Sequence, residues 1–291
     1  MTSIHTDKPA GEALRRLARK SLAGLAKDLE RAAAGQGVHA ARKRLKFIRS
    51  LLRLLQPAIG RAAFVKADRR LRAAAHAIAG ARRAEAMREA VAKLGSGNDP
   101  ALAELARLVA AAHCQEAAPQ AVSEATAGAM RAIEKVRAAV NDWSLPKRDI
   151  APFTRGLRDA YGTARRKLRT GLAANDIARL HEARKSVIHH LHHVEILAPL
   201  WPEMARARGA ALTGLREALG DLNDLEELQR LAAAEPAHFS HPARLREAQA
   251  AIAARRARLQ AGVEQRTGRL FSEKPGPFAR RLRAMWRKPA A

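Results

Sequence analysis

The sequence repeats itself after about half its length, and this repeat limits the folds open to the chain. Residues 38–43 (VHAARK) match residues 180–185 (LHEARK) at an offset of 142 residues. At the same offset Arg16 falls on Arg158 and Arg19 falls on Tyr161. A repeat this long exceeds the roughly 20–50-residue units of solenoids. It predicts two related halves joined near the connection at residues 142–146 (DWSLP).

Helical periodicity runs through both halves, because Ala, Leu, Arg, Glu and Lys dominate and no stretch alternates with a two-residue period. Proline and glycine divide the chain into predicted helices. These lie at residues 12–34, 38–57, 61–93, 99–114, 119–142, 150–173, 176–198, 203–219, 221–234 and 242–271. We therefore predict an all-α fold of two four-helix bundles related by a pseudo-two-fold axis, with residues 11–142 as one half and 150–272 as the other.

Residues 274–291 form a separate basic tail without an acidic residue. Phe278, Leu282, Met285 and Trp286 are spaced to share one face of a helix. The tail is predicted either to dock as a short helix with a solvated basic side or to anchor the protein on an anionic lipid or polymer surface.

Charge indicates the class of partner. The chain has 54 Lys and Arg against 28 Asp and Glu, a formal net charge of +26. Such a surface repels itself and favours an anionic partner, which leaves nucleic acid, an anionic membrane and a phosphate polymer as candidates. Aromatic residues make up only 3% of the chain, which disfavours proteins that stack single-stranded bases.

The predicted helix 38–57 carries the strongest binding signal. Helical spacing places five basic side chains on one face: His39, Arg42, Lys46, Arg49 and Arg53. The neighbouring apolar stripe is Ala41, Leu45, Ile48, Leu52 and Leu55. Like charges at this spacing repel, so an anionic ligand along the row would offset a cost in stability. The alternative is an ordinary solvated basic face, although such faces usually contain glutamate and this one does not.

The matching helix 176–198 keeps His181, Arg184 and Lys185 but has Ile188 and Leu191 where the first half has Lys46 and Arg49. His181, Lys185, His189 and His192 share one face. Protonated imidazole binds phosphate more strongly than neutral imidazole, so binding is predicted to strengthen between about pH 8 and 6. A metal site at His189 with His192 or His193, and a plain polar face, remain alternatives.

The predicted helix 150–173 adds an arginine ladder, with Gly162 at the missing step. Its members are Arg155, Arg158, Arg165 and Arg169. Arg16 and Arg19 occupy the related face in the first half, so the ladder extends the candidate anion-binding surface to a second pair of helices.

Sequence signatures of catalysis are missing: there is no glycine-rich phosphate loop, no Gly-x-Ser-x-Gly and no His-Glu-x-x-His. We expect a binding protein, not an enzyme, and no cofactor. Cys114 is the single cysteine, the N-terminus has no apolar signal core and no stretch approaches a membrane span. We expect a cytoplasmic protein, and the residues leave self-association open.

At these motifs the sequence resembles the CHAD family, the conserved histidine α-helical domain. The resemblance rests on His39-x-x-Arg42-Lys43, on His181-x-x-Arg184-Lys185 with Glu195, and on residues 215–224 (LREALGDLND), and it covers residues 11–272. It implies two four-helix bundles about a basic central groove, binding of inorganic polyphosphate and association with polyphosphate granules. The Glu-x-Glu-x-Lys strand of the triphosphatase domain that some relatives carry is missing, so we expect a stand-alone CHAD module.

Two departures from the family pattern direct attention to the first half. Residues 79–83 (AGARR) stand where the second half has GDLND, so Arg82-Arg83 replaces an expected acid. The second-half helix also lacks the basic side chains at Ile188 and Leu191. Nucleic acid remains the rival partner, expected as a weaker competitor, and an enzyme acting on polyphosphate is the third hypothesis.

Overall fold

The structure is a computed structural model, and it describes residues 3–4, 8–34, 36–78, 83–95, 99–112 and 119–286. These residues form helices and contain no strand, so the predicted all-α class is confirmed. The helices that the structure describes are α1 (Ala10–Ala33), α2 (Val38–Ile59), α3 (Arg61–Ala77), α4 (Arg83–Ala92), α5 (Pro100–Ala112), α6 (Pro119–Asp142), α7 (Ala151–Ala173), α8 (Ile177–Ile196), α9 (Pro202–Ala234), α10 (Pro242–Leu270) and α11 (Pro275–Trp286). Short 3-10 turns lie at Ala198–Leu200 and Pro236–His238.

Two predicted boundaries are wrong. The predicted helix 61–93 is two helices, because α3 ends at Ala77 and α4 begins at Arg83. The predicted helices 203–219 and 221–234 are one, because α9 continues through Gly220. Gly220 is buried against Arg184, and a Cβ at this position would lie 2.9 Å from an Arg184 guanidinium nitrogen. Here the glycine serves close packing and does not end the helix.

The first half contains a ring of four helices, in which α1 packs on α2, α2 on α3, α3 on α6 and α6 on α1. The apolar stripe predicted for α2 is buried in this core, from Ala41 to Leu55. In the second half α7 packs on α8, α8 on α9 and α9 on α10, while α10 and α7 barely touch. A second, smaller core joins α4 and α5 of the first half to α9 and α10 of the second.

Helices α2, α7 and α8 meet at the centre of the molecule. Helix α2 packs on both α7 and α8, so one continuous core crosses the predicted boundary between the halves. The two-fold relation between the halves stays a prediction. The packing of these three helices positions the candidate functional site described below.

The tail helix α11 docks on α7 and on the Ala198–Leu200 turn. Phe278 and Leu282 are buried, and Met285 and Trp286 pack against the core. The docking prediction is therefore confirmed for the described part of the tail. The core covers the apolar face of the described part of the tail, and its basic side stays a predicted surface for anionic partners.

Candidate functional site

A groove of about 890 Å³ opens between α2, α7 and α8 beside the start of α3. Its walls carry cationic side chains from all four helices: Lys46, Arg49, Arg53, Arg61, Arg72, Arg155, Lys167 and Lys185. The carboxylates on the same walls belong to Asp159 and Glu182. The groove therefore has a strong excess of positive charge.

Gly156 brings α7 and α2 together along this groove. A Cβ on Gly156 would lie 2.3 Å from the backbone oxygen of Leu54, closer than any side chain tolerates. Glycine is needed here because the two backbones touch. This contact places Arg155 of α7 opposite the basic face of α2.

Asp68 of α3 holds three of the arginines in place. Its buried carboxylate accepts from Arg49 Nε at 3.0 Å, lies 3.1 Å from Arg72 Nε and lies 3.9 Å from an Arg53 nitrogen. Burial lowers the pKa of Arg53, and the Asp68 charge acts in the opposite direction. One carboxylate thus orients three guanidinium groups, and its single negative charge offsets only part of their positive charge.

Ser50 organises the crossing of α2 and α8 beside the groove. Its hydroxyl donates to the Lys46 carbonyl at 2.8 Å, so its lone pairs are left for His189 Nδ1 and His192 Nδ1, each at 2.8 Å. Arg53 Nε donates to His189 Nε2 at 2.9 Å, which requires the proton of His189 to sit on Nδ1. Both imidazoles therefore act as neutral donors to Ser50.

The charge state of these histidines corrects a prediction. Burial lowers the pKa of His189 well below its ordinary value, and burial lowers the pKa of His192 to about 3. Neither side chain gains a proton between pH 8 and 6, so the predicted strengthening of binding over that range is wrong for these two. His189 still lines the groove, and its place there serves to position Arg53.

The motif residues of α8 and α9 pack against each other. Arg184 Nε donates to the Arg216 carbonyl at 3.1 Å and its guanidinium covers Gly220. Burial raises the pKa of Asp224, whereas Arg184 acts to lower it. The His-x-x-Arg-Lys segment and the LREALGDLND segment are thus one packed unit.

The CHAD domain family model matches residues 12–233, which is more than half of the chain. The chain belongs to the CHAD family. The match ends at the last turn of α9, so α10 and α11 lie beyond it. A search of curated proteins found no match.

The two signature histidines of this CHAD protein do not share the groove. His39 is exposed near the start of α2, and it does not line the groove. His181 lines a separate depression with Asn223, Glu226 and Arg256. His181 Nδ1 is buried without a hydrogen-bond partner among the described residues, and burial lowers the pKa of this side chain.

The predicted basic face of α2 divides at Lys46. Lys46, Arg49 and Arg53 line the groove, whereas Arg42 and Lys43 precede it on the helix. The groove runs beside α2 from Lys46 to Pro57 and beside α8 from Glu182 to His189. Lys43 instead lies near Glu195, and its charge opposes the rise that burial causes in the pKa of that carboxyl.

The arginines of the α7 ladder have separate positions. Arg155 lines the groove, Arg158 pairs with Asp159 at 2.9 Å and Arg165 Nε donates to the Phe271 carbonyl at 2.8 Å. Arg169 is exposed outside the groove. On α1, Arg16 is exposed and Arg19 donates to Asn141 Oδ1 at 2.7 and 3.0 Å, so neither of these side chains lines the groove.

Sequence reasoning missed Arg61, Arg72, Lys167 and Asp68. Arg61 follows Gly60 at the start of α3, and only the turn at Gly60 brings it to the groove. Asp68 and Arg72 are four residues apart, a spacing that indicated a helical ion pair. Nothing in the sequence indicated that Arg49 and Arg53 would join that pair.

No described helix combines the length and apolar character needed to cross a membrane. The described residues include no group of three or more His, Cys, Asp or Glu side chains suited to a metal ion. Cys114 and Arg82 lie outside the described residues, as does the side chain of Arg83.

Proposed function

We propose that this CHAD protein binds inorganic polyphosphate in the groove between α2, α7 and α8. The observation that carries the proposal is the convergence of eight cationic side chains, Lys46, Arg49, Arg53, Arg61, Arg72, Arg155, Lys167 and Lys185, on one groove. Against them stand Asp159 and Glu182 on the walls and the buried Asp68 behind the arginines. A strand with one negative charge per phosphate matches this excess along its length.

The physical basis is charge-assisted hydrogen bonding between guanidinium or ammonium groups and phosphoryl oxygens. Clustered like charges also repel in the free protein, so a bound anion relieves a cost that the fold carries. Counterions released from the polymer would add affinity that depends on salt, as they do for nucleic acid.

The predicted two-fold relation finds support at the α2–α8 crossing. An offset of 142 residues converts the pair Phe47–His192 into the pair His189–Ser50. Both pairs are in contact, with ring centroids 5.5 Å apart in the first and a 2.8 Å hydrogen bond in the second. We propose that a local axis passes here, between the halves 11–142 and 150–272.

Among the described residues, the side chains on the other side of this axis differ from those that line the groove. The counterpart of Arg49 at that offset is Leu191, and the counterpart of Arg155 is Ala13, and both are buried. Apolar packing therefore replaces the equivalent groove. The binding site belongs to one side of the crossing, with the first-half helix α2 and the second-half helices α7 and α8 as its walls.

Nucleic acid fits the groove less well. The described lining contains no Phe, Tyr or Trp on which a base could stack. Phosphoryl oxygens need only donors, which the groove supplies. Binding without catalysis is part of the proposal, since Asp159 is held by Arg158 and Glu182 by Lys185.

A protein that holds the polymer in this way would collect where the polymer accumulates. We therefore place it with polyphosphate granules inside the cell. A fluorescent fusion should form foci that coincide with stained polyphosphate, and an even distribution in cells containing such granules would oppose this part of the proposal.

Three lysines of the groove give the sharpest test of binding. Lys46, Lys167 and Lys185 come from three different helices, and their replacement by alanine leaves the Asp68 arginine cluster intact. Each contact is worth about 1 kcal/mol or more, so the triple variant should bind polyphosphate roughly a hundredfold more weakly. The dissociation constant is measured by titration calorimetry at one fixed salt concentration.

The matched control replaces three exposed lysines outside the groove, Lys27, Lys66 and Lys135. It removes the same charge and should change the dissociation constant by less than about threefold. Equal losses in the two variants would show that the bulk charge binds the polymer. Displacement of bound polyphosphate by equimolar duplex DNA would favour nucleic acid, and phosphate release with Mg²⁺ would favour an enzyme.

A further inference from the structure

A second basic cleft lies between α7 and the tail helix α11, outside the groove. It has a volume of about 250 Å³. Four arginines line it, Arg155 and Arg158 from α7 and Arg280 and Arg283 from α11. Helix α7 lies within the part of the chain that the family model matches, whereas α11 lies beyond it.

One arginine of the cleft has an unmet hydrogen-bond donor. The Nε atom of Arg283 is buried and has no hydrogen-bond partner among the described residues. Buried donors are normally satisfied by an acceptor from the protein, from water or from a ligand. Asp159, which follows Arg158 in the sequence, is paired with Arg158 at 2.9 Å. The cleft therefore combines excess positive charge with a donor that needs an acceptor.

Aromatic packing fixes the position of α11, so the cleft is part of the fold. Phe278 stacks on Tyr161 with ring centroids 4.5 Å apart, and Arg208 lies over the Phe278 ring at 4.8 Å. The Tyr161 hydroxyl donates to the Glu273 carbonyl at 2.8 Å. Pro275 fits against Gly162, where a Cβ would lie 3.2 Å from its ring. Arg280 and Arg283 are thereby held opposite Arg155 and Arg158.

Arg155 connects the two basic sites, because it lines both the groove and the cleft. We infer that the α7–α11 cleft is a second phosphate-binding site and that a polyphosphate chain longer than the groove continues past Arg155 into it. This inference rests on the proposed function of the groove. It predicts that the tail helix gives the protein a preference for long chains.

The test compares a cleft variant, Arg280→Ala with Arg283→Ala, with a control of equal charge, Arg246→Ala with Arg258→Ala. The control residues are exposed on α10, outside the groove and the cleft. Loss of two contacts should weaken binding of long-chain polyphosphate by about tenfold or more in the cleft variant, whereas loss of exposed charge in the control should cost less than about threefold. Tripolyphosphate should bind two sites on the unchanged protein and one site, with unchanged groove affinity, on the cleft variant.

The outcomes separate this inference from the groove proposal. Equal losses in the cleft and control variants, or two tripolyphosphate sites in the cleft variant, would overturn the cleft and leave the groove standing. A groove lysine variant that binds long chains normally would overturn the proposed function instead. Binding of vesicles rich in phosphatidylglycerol that disappears in the cleft variant, with polyphosphate binding unchanged, would assign the cleft to lipid and overturn the inference.

Folding of the cleft variant is checked by its melting temperature. Arg283→Lys provides a second variant that keeps the charge but removes the buried Nε donor of the guanidinium. It should lose part of the long-chain affinity while retaining the melting temperature. Full affinity in Arg283→Lys together with full affinity in the cleft variant would contradict a site at Arg283.

Discussion

Asp68 is the residue on which the basic groove depends for its shape. Its side chain is buried while the three arginines around it are partly exposed, so the cluster presents guanidinium groups to the groove and hides the carboxylate. Without this buried carboxylate, the arginine side chains would spread apart into water. The acid therefore positions the cations of the proposed anion site.

Replacing Asp68 with asparagine should destabilise the free protein by about 1–3 kcal/mol, because three partly exposed arginines then lose their buried counter-charge. Chemical denaturation measures this loss. The same substitution at Asp159, whose ion pair with Arg158 is exposed, should cost less than about 1 kcal/mol. Equal effects at the two positions would show that the cluster around Asp68 is an ordinary surface network.

Histidine burial at the α2–α8 crossing makes stability depend on pH. His193 Nε2 donates to the Ser50 carbonyl at 2.7 Å, and burial lowers its pKa from 6.5 to about 4. The unfolded chain binds the proton first as pH falls. The stability is therefore fully present above about pH 6.5 and is lost as pH falls toward 4.

His193→Gln keeps a donor near the Ser50 carbonyl and removes the titration. The plot of unfolding free energy against pH should become flatter between about pH 6.5 and 4, by up to about 1.4 kcal/mol per pH unit. The neighbouring buried histidines leave a residual slope. The same substitution at the exposed His76 is the control, and an unchanged slope in His193→Gln would contradict a neutral buried imidazole.

At the residue scale the sequence predicted the type of side chain better than its role. The spacing on α2 correctly selected Lys46, Arg49 and Arg53 for the groove. The histidines were placed in the same set because imidazole binds phosphate, yet His192 is a neutral donor to Ser50. A hydrogen bond between residues 142 positions apart leaves no local sequence pattern, so this role could not be predicted.

At the scale of helices, two glycines differ in whether the packing around them leaves room for a side chain. Gly156 touches the α2 backbone at Leu54, whereas no heavy atom lies within 4 Å of the Cβ position of Gly209 on α9. Both lie inside helices, so their intrinsic helix propensities are the same. Any difference between the two sites must come from packing.

Gly156→Ala should therefore destabilise the protein by more than about 2 kcal/mol, because α2 and α7 must separate. Gly209→Ala should stabilise it by about 0.5–1 kcal/mol, the usual gain for alanine over glycine in a helix. Thermal and chemical denaturation measure both. Two changes of the same sign would contradict the backbone contact between α2 and α7.

Proline marked most of the predicted helix boundaries, although α2 continues through Pro57 to Ile59, and glycine was less consistent. Helices α9 and α10 begin at Pro202 and Pro242, as the sequence predicted within a residue. Gly220 suggested a break inside α9, but the helix continues through it. The guanidinium of Arg184 packs in the space that a side chain at Gly220 would fill. A single sequence does not distinguish a glycine needed for a turn from one needed for contact.

For the whole molecule, the two halves are less separate than the repeat predicted. Helices α4 and α5 belong to the first half by position but share a core with α9 and α10. Lys93, just after α4, pairs with Asp221 of α9 at 2.8 Å, which joins the halves through the second motif segment. The repeat predicted which helices of the two halves are related. It did not predict which helices pack together, because that depends on contacts between residues far apart in the sequence.

At the scale of the whole molecule, the proposed polymer binding could be diffuse or localised, because a net charge of +26 attracts any polyanion. Diffuse attraction would use charges from the whole surface, whereas a groove uses a defined set. The dependence of affinity on salt counts the contacts, at about one unit of logarithmic slope per phosphate contact on duplex DNA.

The most direct test is the salt dependence of polyphosphate affinity in the unchanged protein, the Lys46, Lys167 and Lys185 variant, and the Lys27, Lys66 and Lys135 control. The account predicts that the groove variant loses about two to three units of slope and that the control retains the slope of the unchanged protein. If both triple variants lose the same slope, the polymer binds the surface at large, and the groove between α2, α7 and α8 is not its site.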